Sequence, residues 1–364
     1  MKIAIDLTSL ADNFSGIERF TMNIASWLID ISPENDFILI YKDRVHDKLS
    51  NYNTRRNVKT IILERRNKLW FSQITLLSCL YRVKADYYLF MAFPTPLFFF
   101  RKGTVTTIHD IGCWDVPGTM VASSRFFFRI LYRKASKFDE KIVTVSEFSR
   151  QRIQNKLHIS QEKICVVYNG IDSNFTMNVC NHIKCQKVRE KYDLPDRYIL
   201  CLSTLEPRKN LKLLINACCS LWSKEEIKSE LVLAGRKGWK TDNLLNNVDQ
   251  KFIHKIHFTG FIDDDDLPLV YHCADVFIFP SLYEGFGIPP LEALAVGTPV
   301  ISSDGSSLPE ILGEAALYFK NDDQESLEKL IANFFENNVI RNVEIPRIYS
   351  WKESAQKLKA FLNG

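Results

Sequence analysis

The sequence lacks any apolar run long enough to cross a bilayer. Apolar stretches such as residues 87–100 are broken by Pro94 and Pro96 and fall short of the about 20 residues a spanning helix needs. The opening MKIAIDL lacks an apolar core followed by a small-residue cleavage site, so no secretory signal is expected and the chain is expected to stay in the cytoplasm. Also missing is a repeated Cys-x-x-Cys pair. The nine cysteines are scattered, mostly in apolar runs, and read as reduced core thiols. Cys180, His182 and Cys185 are three clustered candidate zinc ligands that no second cluster answers, so no metal is expected. Nor is there a G-x-G-x-x-G, which removes the dinucleotide fingerprint and with it an NAD oxidoreductase.

What is present is the balance of an ordinary folded protein, with 46% hydrophobic and 25% charged residues over 364 positions. That length is about twice the usual 100–150-residue domain, which predicts two domains. The net charge of +4 conceals an asymmetry: residues 1–175 carry about +8 and the remainder about −4. The excess gathers between Lys42 and Lys84, where eleven Lys or Arg face three acids. A basic face of this kind attracts anionic lipid, phosphate or nucleic acid. No nucleic-acid partner is expected here, and contact with the inner face of an anionic membrane is.

Periodicity alternates between short apolar runs and amphipathic stretches. Strands are predicted at 2–7, 37–41, 58–63, 86–90, 105–108, 142–145 and 164–168, and again at 198–203, 231–234, 255–259, 276–279 and 299–302. Helices are predicted near 16–31, 70–83, 122–138, 147–156, 209–222, 242–254, 264–274, 290–296, 323–337 and 351–362. Repeated βα units imply two Rossmann-like, doubly wound parallel sheets. The polar segment 173–194 reads as a linker, giving a first domain at 1–175 and a second at 195–345. By analogy with two-domain proteins of this type, 346–364 is a helix crossing back to the first domain.

Three places carry chemistry. Residues 279–304, FPSLYEGFGIPPLEALAVGTPVISSD, read strand, Gly-rich loop, helix, turn and strand. Gly285 and Gly287 let backbone amides approach a ligand, and Pro289 and Pro290 suit a helix's first turn, a combination that favours phosphate. Glu284 and Glu292 flank this loop. Eight residues of helical rise would separate them by about 12 Å, against about 5–5.5 Å for a retaining hydrolase's carboxylate pair. The second place is 202–211, LSTLEPRKNL, where Arg208 and Lys209 could stabilise the charge of a departing diphosphate. The third is His109-Asp110, at the C-terminal end of a predicted parallel strand, where α/β sites open. Ser146 reads as a helix cap, and Asp110 could cap its following turn.

The stretch EGFGIPPLEALAVGTPVI, with its Glu-x7-Glu spacing, resembles the signature of the retaining family 4 glycosyltransferases, whose fold is called GT-B. LSTLEPRKNL resembles a second family segment and the turn of bacterial mannosyltransferase-like enzymes, and Ser15-Gly16-Ile17-Glu18 resembles the first-strand loop. The resemblance implies catalytic roles for His109, Arg208, Lys209 and Glu284, and donor contacts at Gly16, Thr204, Gly285, Phe286, Gly287, Ile288 and Glu292, the last on the nucleotide ribose. Ser203-Thr204 stands where many relatives have Gly-Arg, so Arg208 would substitute. No cofactor is implied beyond the nucleotide diphosphate sugar. GDP-mannose leads over UDP-hexoses and dTDP-rhamnose, with a polyprenyl-diphosphate-linked glycan of surface polysaccharide (O-antigen or capsule) as acceptor. A metal is not implied, because the acidic run Asp263 to Asp266 is expected to open a helix, where carboxylates complement the dipole. The alternatives are a sugar-nucleotide epimerase of the same architecture and a non-catalytic nucleotide-sugar-binding subunit.

Overall fold

The apolar runs pair as parallel strands in two separate sheets. A computed structural model of the chain describes residues 1–10, 16–64, 71–175, 182–236, 238, 244–246, 248–337 and 349–364. The chain divides into two compact units, Met1–Gly170 with Arg347–Gly364, and Ile171–Pro346.

The first unit runs β1 (Lys2–Asp6), α1 (Gly16–Asp30), β2 (Asp36–Lys42), β3 (Val58–Leu63), α2 (Leu77–Arg82), β4 (Tyr87–Phe90), β5 (Thr104–Thr107), α3 (Gly112–Asp115), α4 (Ala122–Phe138), β6 (Lys141–Thr144), α5 (Glu147–Leu157) and β7 (Ile164–Val166). Its parallel sheet has the order β3-β2-β1-β4-β5-β6-β7. Strand order reverses between β1 and β4, which makes the C-terminal ends of those strands the place where a doubly wound sheet opens a crevice. Ile3 to Ile5 of β1 and Tyr88 to Phe90 of β4 are buried in succession rather than alternately, the pattern of a sheet covered on both faces. Ala4, Ile38, Ile40, Tyr88 and Phe99 pack together in one apolar cluster, and Ile108, Ile142, Ile153 and Ile164 in another.

The second unit runs α6 (His182–Tyr192), β8 (Tyr198–Leu202), α7 (Leu211–Ser223), β9 (Glu230–Ala234), α8 (Gln250–Ile253), β10 (Ile256–Gly260), α9 (Leu267–His272), β11 (Val276–Phe279), α10 (Ile288–Ala295), β12 (Val300–Ser303), α11 (Leu308–Leu312), β13 (Leu317–Phe319) and α12 (Gln324–Asn337). Its parallel order is β10-β9-β8-β11-β12-β13, reversing between β8 and β11. The last helix, α13 (Trp351–Asn363), packs on α1 of the first unit. Tyr87 Oη donates to the Leu362 carbonyl at 2.6 Å, and Ser354 Oγ to the Tyr168 carbonyl at 2.7 Å. Gly170 lies so close that a Cβ there would stand 2.4 Å from the Trp351 nitrogen.

Several boundaries differ from the sequence expectation. The segment 173–194 is not all linker, since 182–192 forms α6. Val188 on it is buried, and Lys191 reaches Asp263 at 2.7 Å and Asp266 at 2.6 Å. The helix expected at 209–222 begins at Leu211, because Asn210 takes a left-handed conformation (φ 52°) after a single 3-10 turn over Pro207–Lys209. Within 242–254 the described residues are helical only over Gln250–Ile253, and residues 242, 243 and 247 lie outside the described set. The acidic run precedes its helix, which starts at Leu267, and Asp266 at the N-cap position makes no side-chain capping bond. Residues 71–76 wind as a π-helical turn ahead of α2, and Trp70 is outside the described residues.

Candidate active site

Two loops meet where the second sheet reverses its strand order. One leaves β8 and carries Thr204, Glu206, Arg208 and Lys209; the other leaves β11 and carries Ser281, Glu284 and Gly285 to Ile288. Their backbones are stapled together, as the Arg208 carbonyl accepts from Leu282 N at 2.9 Å.

Lys209 Nζ donates to Glu284 Oε1 at 2.6 Å, with side chains only 12% and 9% exposed. Ser281 Oγ donates to the same oxygen, and the ammonium lies 5.2 Å from the centre of the Phe279 ring. Burial works against the charged form of Glu284, yet Lys209 and Arg208 together with the hydrogen bonds outweigh it and hold the carboxyl below its ordinary range. Arg208 is oriented from its own turn, its Nε donating to Glu206 Oε1 at 3.0 Å. Two cations are thus fixed at the strand-end crevice by carboxylates.

The Glu284 loop is held from behind. Ser306 Oγ accepts from Glu284 N at 2.8 Å, while Ser307 Oγ meets the carbonyls of Glu284 and Phe286 at 3.1 and 3.0 Å. Gly287 caps α10 at φ 101°, and a Cβ there would come within 2.7 Å of Leu308 Cδ2, so both conformation and space demand glycine. The two prolines that favour this helix start also delete donors. Of the four N-terminal N–H groups, Pro289 and Pro290 contribute none, leaving those of Gly287 and Ile288. One turn further on, Glu292 is 2% exposed and accepts from Tyr271 Oη at 2.9 Å. Glu284 and Glu292 therefore have different partners.

In the first unit, His109 follows β5 and turns its ring inward. Nε2 lies 2.8 Å from the Met91 carbonyl, at the C-terminal end of β4, and the Phe20 ring of α1 meets it edge-on at 5.2 Å. With Nε2 donating, Nδ1 is the ring's acceptor. Burial lowers the imidazole pKa, and the bond to Met91 and the charge of Asp110 oppose the shift without reversing it. Asp110 Oδ1 accepts from Gly112 N at 2.8 Å in the turn ahead of α3, and Ser146 Oγ caps α5 by accepting from Ser149 N at 3.0 Å. Gly16 is the exposed first residue of α1, while Ser15 lies outside the described residues.

Arg208, Lys209 and Glu284 thus form one cluster, with Thr204 half-buried on the same β8 loop and Gly285 to Glu292 continuing from Glu284. Gly16 and His109 stand in the other unit. The supporting residues Glu206, Tyr271, Ser281, Ser306 and Ser307 were not legible in the sequence: a serine or tyrosine carries no pattern until folding supplies its partner. Among the described residues no three His, Cys, Asp or Glu side chains converge as a metal-ligand set, and Cys180 of the possible zinc cluster lies outside those residues.

The family model described as Glycosyltransferase Family 4 matches residues 14–175, and that described as Glycosyl transferases group 1 matches 185–356. O-antigen chain mannosyltransferase B of Escherichia coli is 30% identical over 266 residues, 71% of this chain and 69% of that protein. O-antigen chain mannosyltransferase RfbU of Salmonella typhimurium is 30% identical over 64% of this chain and 61% of its own length. The serotype-specific mannosyltransferase WbdA of Escherichia coli is 32% identical over 61% of this chain, a match spanning only 28% of that longer protein. Among solved structures, HepE of Anabaena in complex with UDP and glucose superposes with a TM-score of 0.68 at 16% identity, covering 99% of this chain and 95% of that one. WaaG, a glycosyltransferase involved in lipopolysaccharide biosynthesis, gives 0.69 at 16% identity with the same coverage. With both halves matched by glycosyltransferase models and both sheets matched in fold, the chain belongs to glycosyltransferase family 4 and is a glycosyltransferase of GT-B architecture.

Proposed function

We propose that the chain transfers a mannosyl residue from GDP-mannose, with retention of configuration, to a polyprenyl-diphosphate-linked glycan during assembly of a bacterial surface polysaccharide such as O-antigen. The observation that carries a sugar-diphosphate donor is the buried Lys209–Glu284 pair with Arg208 beside it, astride the β8–β11 reversal. Three relatives named as mannosyltransferases support the choice of sugar.

In this reading the diphosphate lies over Gly287 and Ile288 N–H and is met by Lys209 and Arg208, while Glu292 accepts from the ribose hydroxyls. As the sugar–oxygen bond breaks, negative charge grows on the leaving diphosphate, and preorganised cations lower the energy of that state more than of the ground state. The acceptor hydroxyl attacks from the same face and its proton passes to a leaving diphosphate oxygen. His109, neutral because burial lowers its pKa, is a hydrogen-bonding partner of the sugar rather than a cation. Lys209 and Arg208 supply the charge compensation, so the reading needs no metal and chelator should leave turnover unchanged. Transfer takes place at the inner face of the cell membrane.

The test is a thermal-shift screen of nucleotide sugars, because a ligand bound by the native state raises apparent stability with its concentration. GDP-mannose should raise the midpoint more than UDP-glucose or dTDP-rhamnose at equal concentration. A larger shift with UDP-glucose would overturn the donor, and conversion of the donor sugar without any acceptor would make the chain an epimerase.

A further inference from the structure

We infer that the outer edge of β3 and the groove beside it form a docking site for an extended, acidic segment of a partner protein, which adds to the first sheet as one more strand. The inference stands apart from the donor and acceptor reading, since β2 separates this edge from the β1–β4 reversal. Asn57 gives its carbonyl to Phe37 N at 2.7 Å and Leu63 its carbonyl to Asp43 N at 2.9 Å, so the odd-numbered peptide groups turn toward β2. By the two-residue period of a strand, the N–H and C=O groups of Thr60 and Ile62 and the Val58 carbonyl turn outward. Among the described residues no strand pairs with that side. Native proteins ordinarily shorten, cover or interrupt such an edge, because it invites pairing with another chain. This one runs for six residues, and Ile62 on it is 49% exposed.

The two faces of β3 differ. On one, Thr60 Oγ1 donates to Asn53 of the 3-10 turn Asp47–Thr54, which lies against the strand. On the other, Lys59, Ile61 and Leu63 stand beside Ile38, Ile40 and Lys42 of β2, and α2 with the turn before it leaves part of that surface open. The opening is a groove of about 1050 Å³. Ile38, Ile61 and Leu63 line it from the sheet, and Ile74, Ser78 and Cys79 from the helical side. Ile74 is 57% exposed. A strand added to β3 would turn every second side chain into this groove, so backbone bonds would give affinity and the groove specificity.

Charge decides what those side chains must be. Lys2, Arg56, Lys59, Arg82 and Lys84 line the groove, all of them exposed, against Asp36 and Glu64. Among the described residues none of these five cations has a carboxylate at ion-pair distance, whereas neighbouring Arg55 is held by Asp30 at 2.6 Å. They gather at one end. Lys2 opens β1, Arg56 and Lys59 stand at the start of β3, and Arg82 and Lys84 lie where α2 gives way to β4, while Glu64 follows the far end of β3. The complement is a segment with acidic side chains beside Lys59 and apolar ones beside Ile61 and Leu63. A second copy of the chain would bring the same five cations and repel.

Four of the five belong to the basic stretch between Lys42 and Lys84, whose Arg65, Arg66 and Lys68 lie outside the described residues. A lipid headgroup could meet these cations, but it carries no backbone to pair with the outward N–H and C=O groups of Thr60 and Ile62. An extended peptide satisfies both.

Fluorescence anisotropy on the full chain tests the site with a labelled peptide, Ser-Glu-Thr-Glu-Thr-Val-Thr-Ile-Ser, whose glutamates, valine and isoleucine share one face of a strand. Its reverse is offered too, so that both strand directions are open. One of the two should bind, and more weakly at high salt. Lys59→Glu/Arg82→Glu should weaken binding about ten-fold, and a peptide with lysines in place of its glutamates should recover it on that variant. N-methylation of one alternate set of peptide amides should abolish binding and of the other set spare it, since only one set faces β3. Ile62→Pro removes an N–H that points away from β2, so it should weaken binding and keep the fold. Should that variant fail to fold, the charge swap and the N-methylated peptides decide alone. Binding of neither peptide, indifference to the charge reversal, or equal loss with either N-methylated set would overturn the site. A dimer seen by light scattering and lost in Ile62→Pro would give the edge to a second copy and overturn the acidic segment.

Discussion

Lys209 and Glu284 show how a single ion pair ties stability to catalysis. Lys209→Ala should slow transfer about 10²–10³-fold, the scale of losing one preorganised charge stabiliser. It also removes the principal partner of a carboxylate that burial alone would push up. Because the folded-state pKa of Glu284 lies below its ordinary 4.5, its ionised form stabilises the fold above that pH, and the contribution is lost as pH falls through the lowered value. The variant should therefore lose stability most at neutral pH, read as a lower urea midpoint by circular dichroism, and the gap from wild type should narrow as pH falls through the lowered value. Wild-type turnover in a folded Lys209→Ala protein would remove the phosphate role. Glu292 calls for a different measurement. Its carboxylate is held by Tyr271 Oη, and Glu292→Gln keeps the shape while giving up the charge that two ribose hydroxyls would donate to. Calorimetry should register nucleoside diphosphate affinity falling about 10- to 150-fold, since a hydrogen bond to a charged group contributes about 1.5–3 kcal/mol. Unchanged affinity would end the ribose assignment.

At the scale of the element, strands were more legible than helix ends. Buried parallel strands are runs of apolar residues, and β2, β8, β9 and β11 announce themselves that way. The three-residue β13 is too short to stand out from the loop around it. Helix α6 escaped notice because it hides little: its sequence HIKCQKVREKY places Val188 in the core and spends its charges on loops nearby. No pattern predicts that Arg189 will donate to the carbonyls of Asp196 and Cys273. The Gly-rich loop was visible from its glycines, but not the serines of the β12–α11 turn that hold it in place. Helix α4 spans Ala122–Phe138 as its periodicity predicts. Its one buried cation gives a further prediction. Lys134 is 6% exposed and Asp139 2%, and Asp139 also accepts from Thr106 at 2.6 Å. Lys134→Met would strand a buried carboxylate, costing about 3–5 kcal/mol in urea unfolding, whereas adding Asp139→Leu should recover much of the loss. Additive losses in the double variant would mean the two side chains do not act as a pair.

At the scale of the whole molecule, the chain's last described residues belong to its first unit. Trp351, Leu358 and Leu362 of α13 are almost wholly buried, with Lys359 Nζ donating to the Ile31 carbonyl at 2.8 Å and Tyr87 Oη to that of Leu362. Burying an apolar side chain of this size contributes about 1.5–3 kcal/mol, so three of them amount to much of the about 5–15 kcal/mol that keeps a typical domain folded. The second unit has no comparable stake, because its sheet and the Lys209–Glu284 cluster lie within Ile171–Pro346. Removing residues 349–364 should therefore open the first unit while sparing the second. Hydrogen exchange should accelerate across β1, β2 and β4, remain slow across β8 and β11, and a nucleoside diphosphate should still slow it in the β11–α10 loop. Uniform acceleration in both sheets would mean that the units unfold as one cooperative body. Undiminished protection in β1 would mean that α13 contributes little to the sheet it covers.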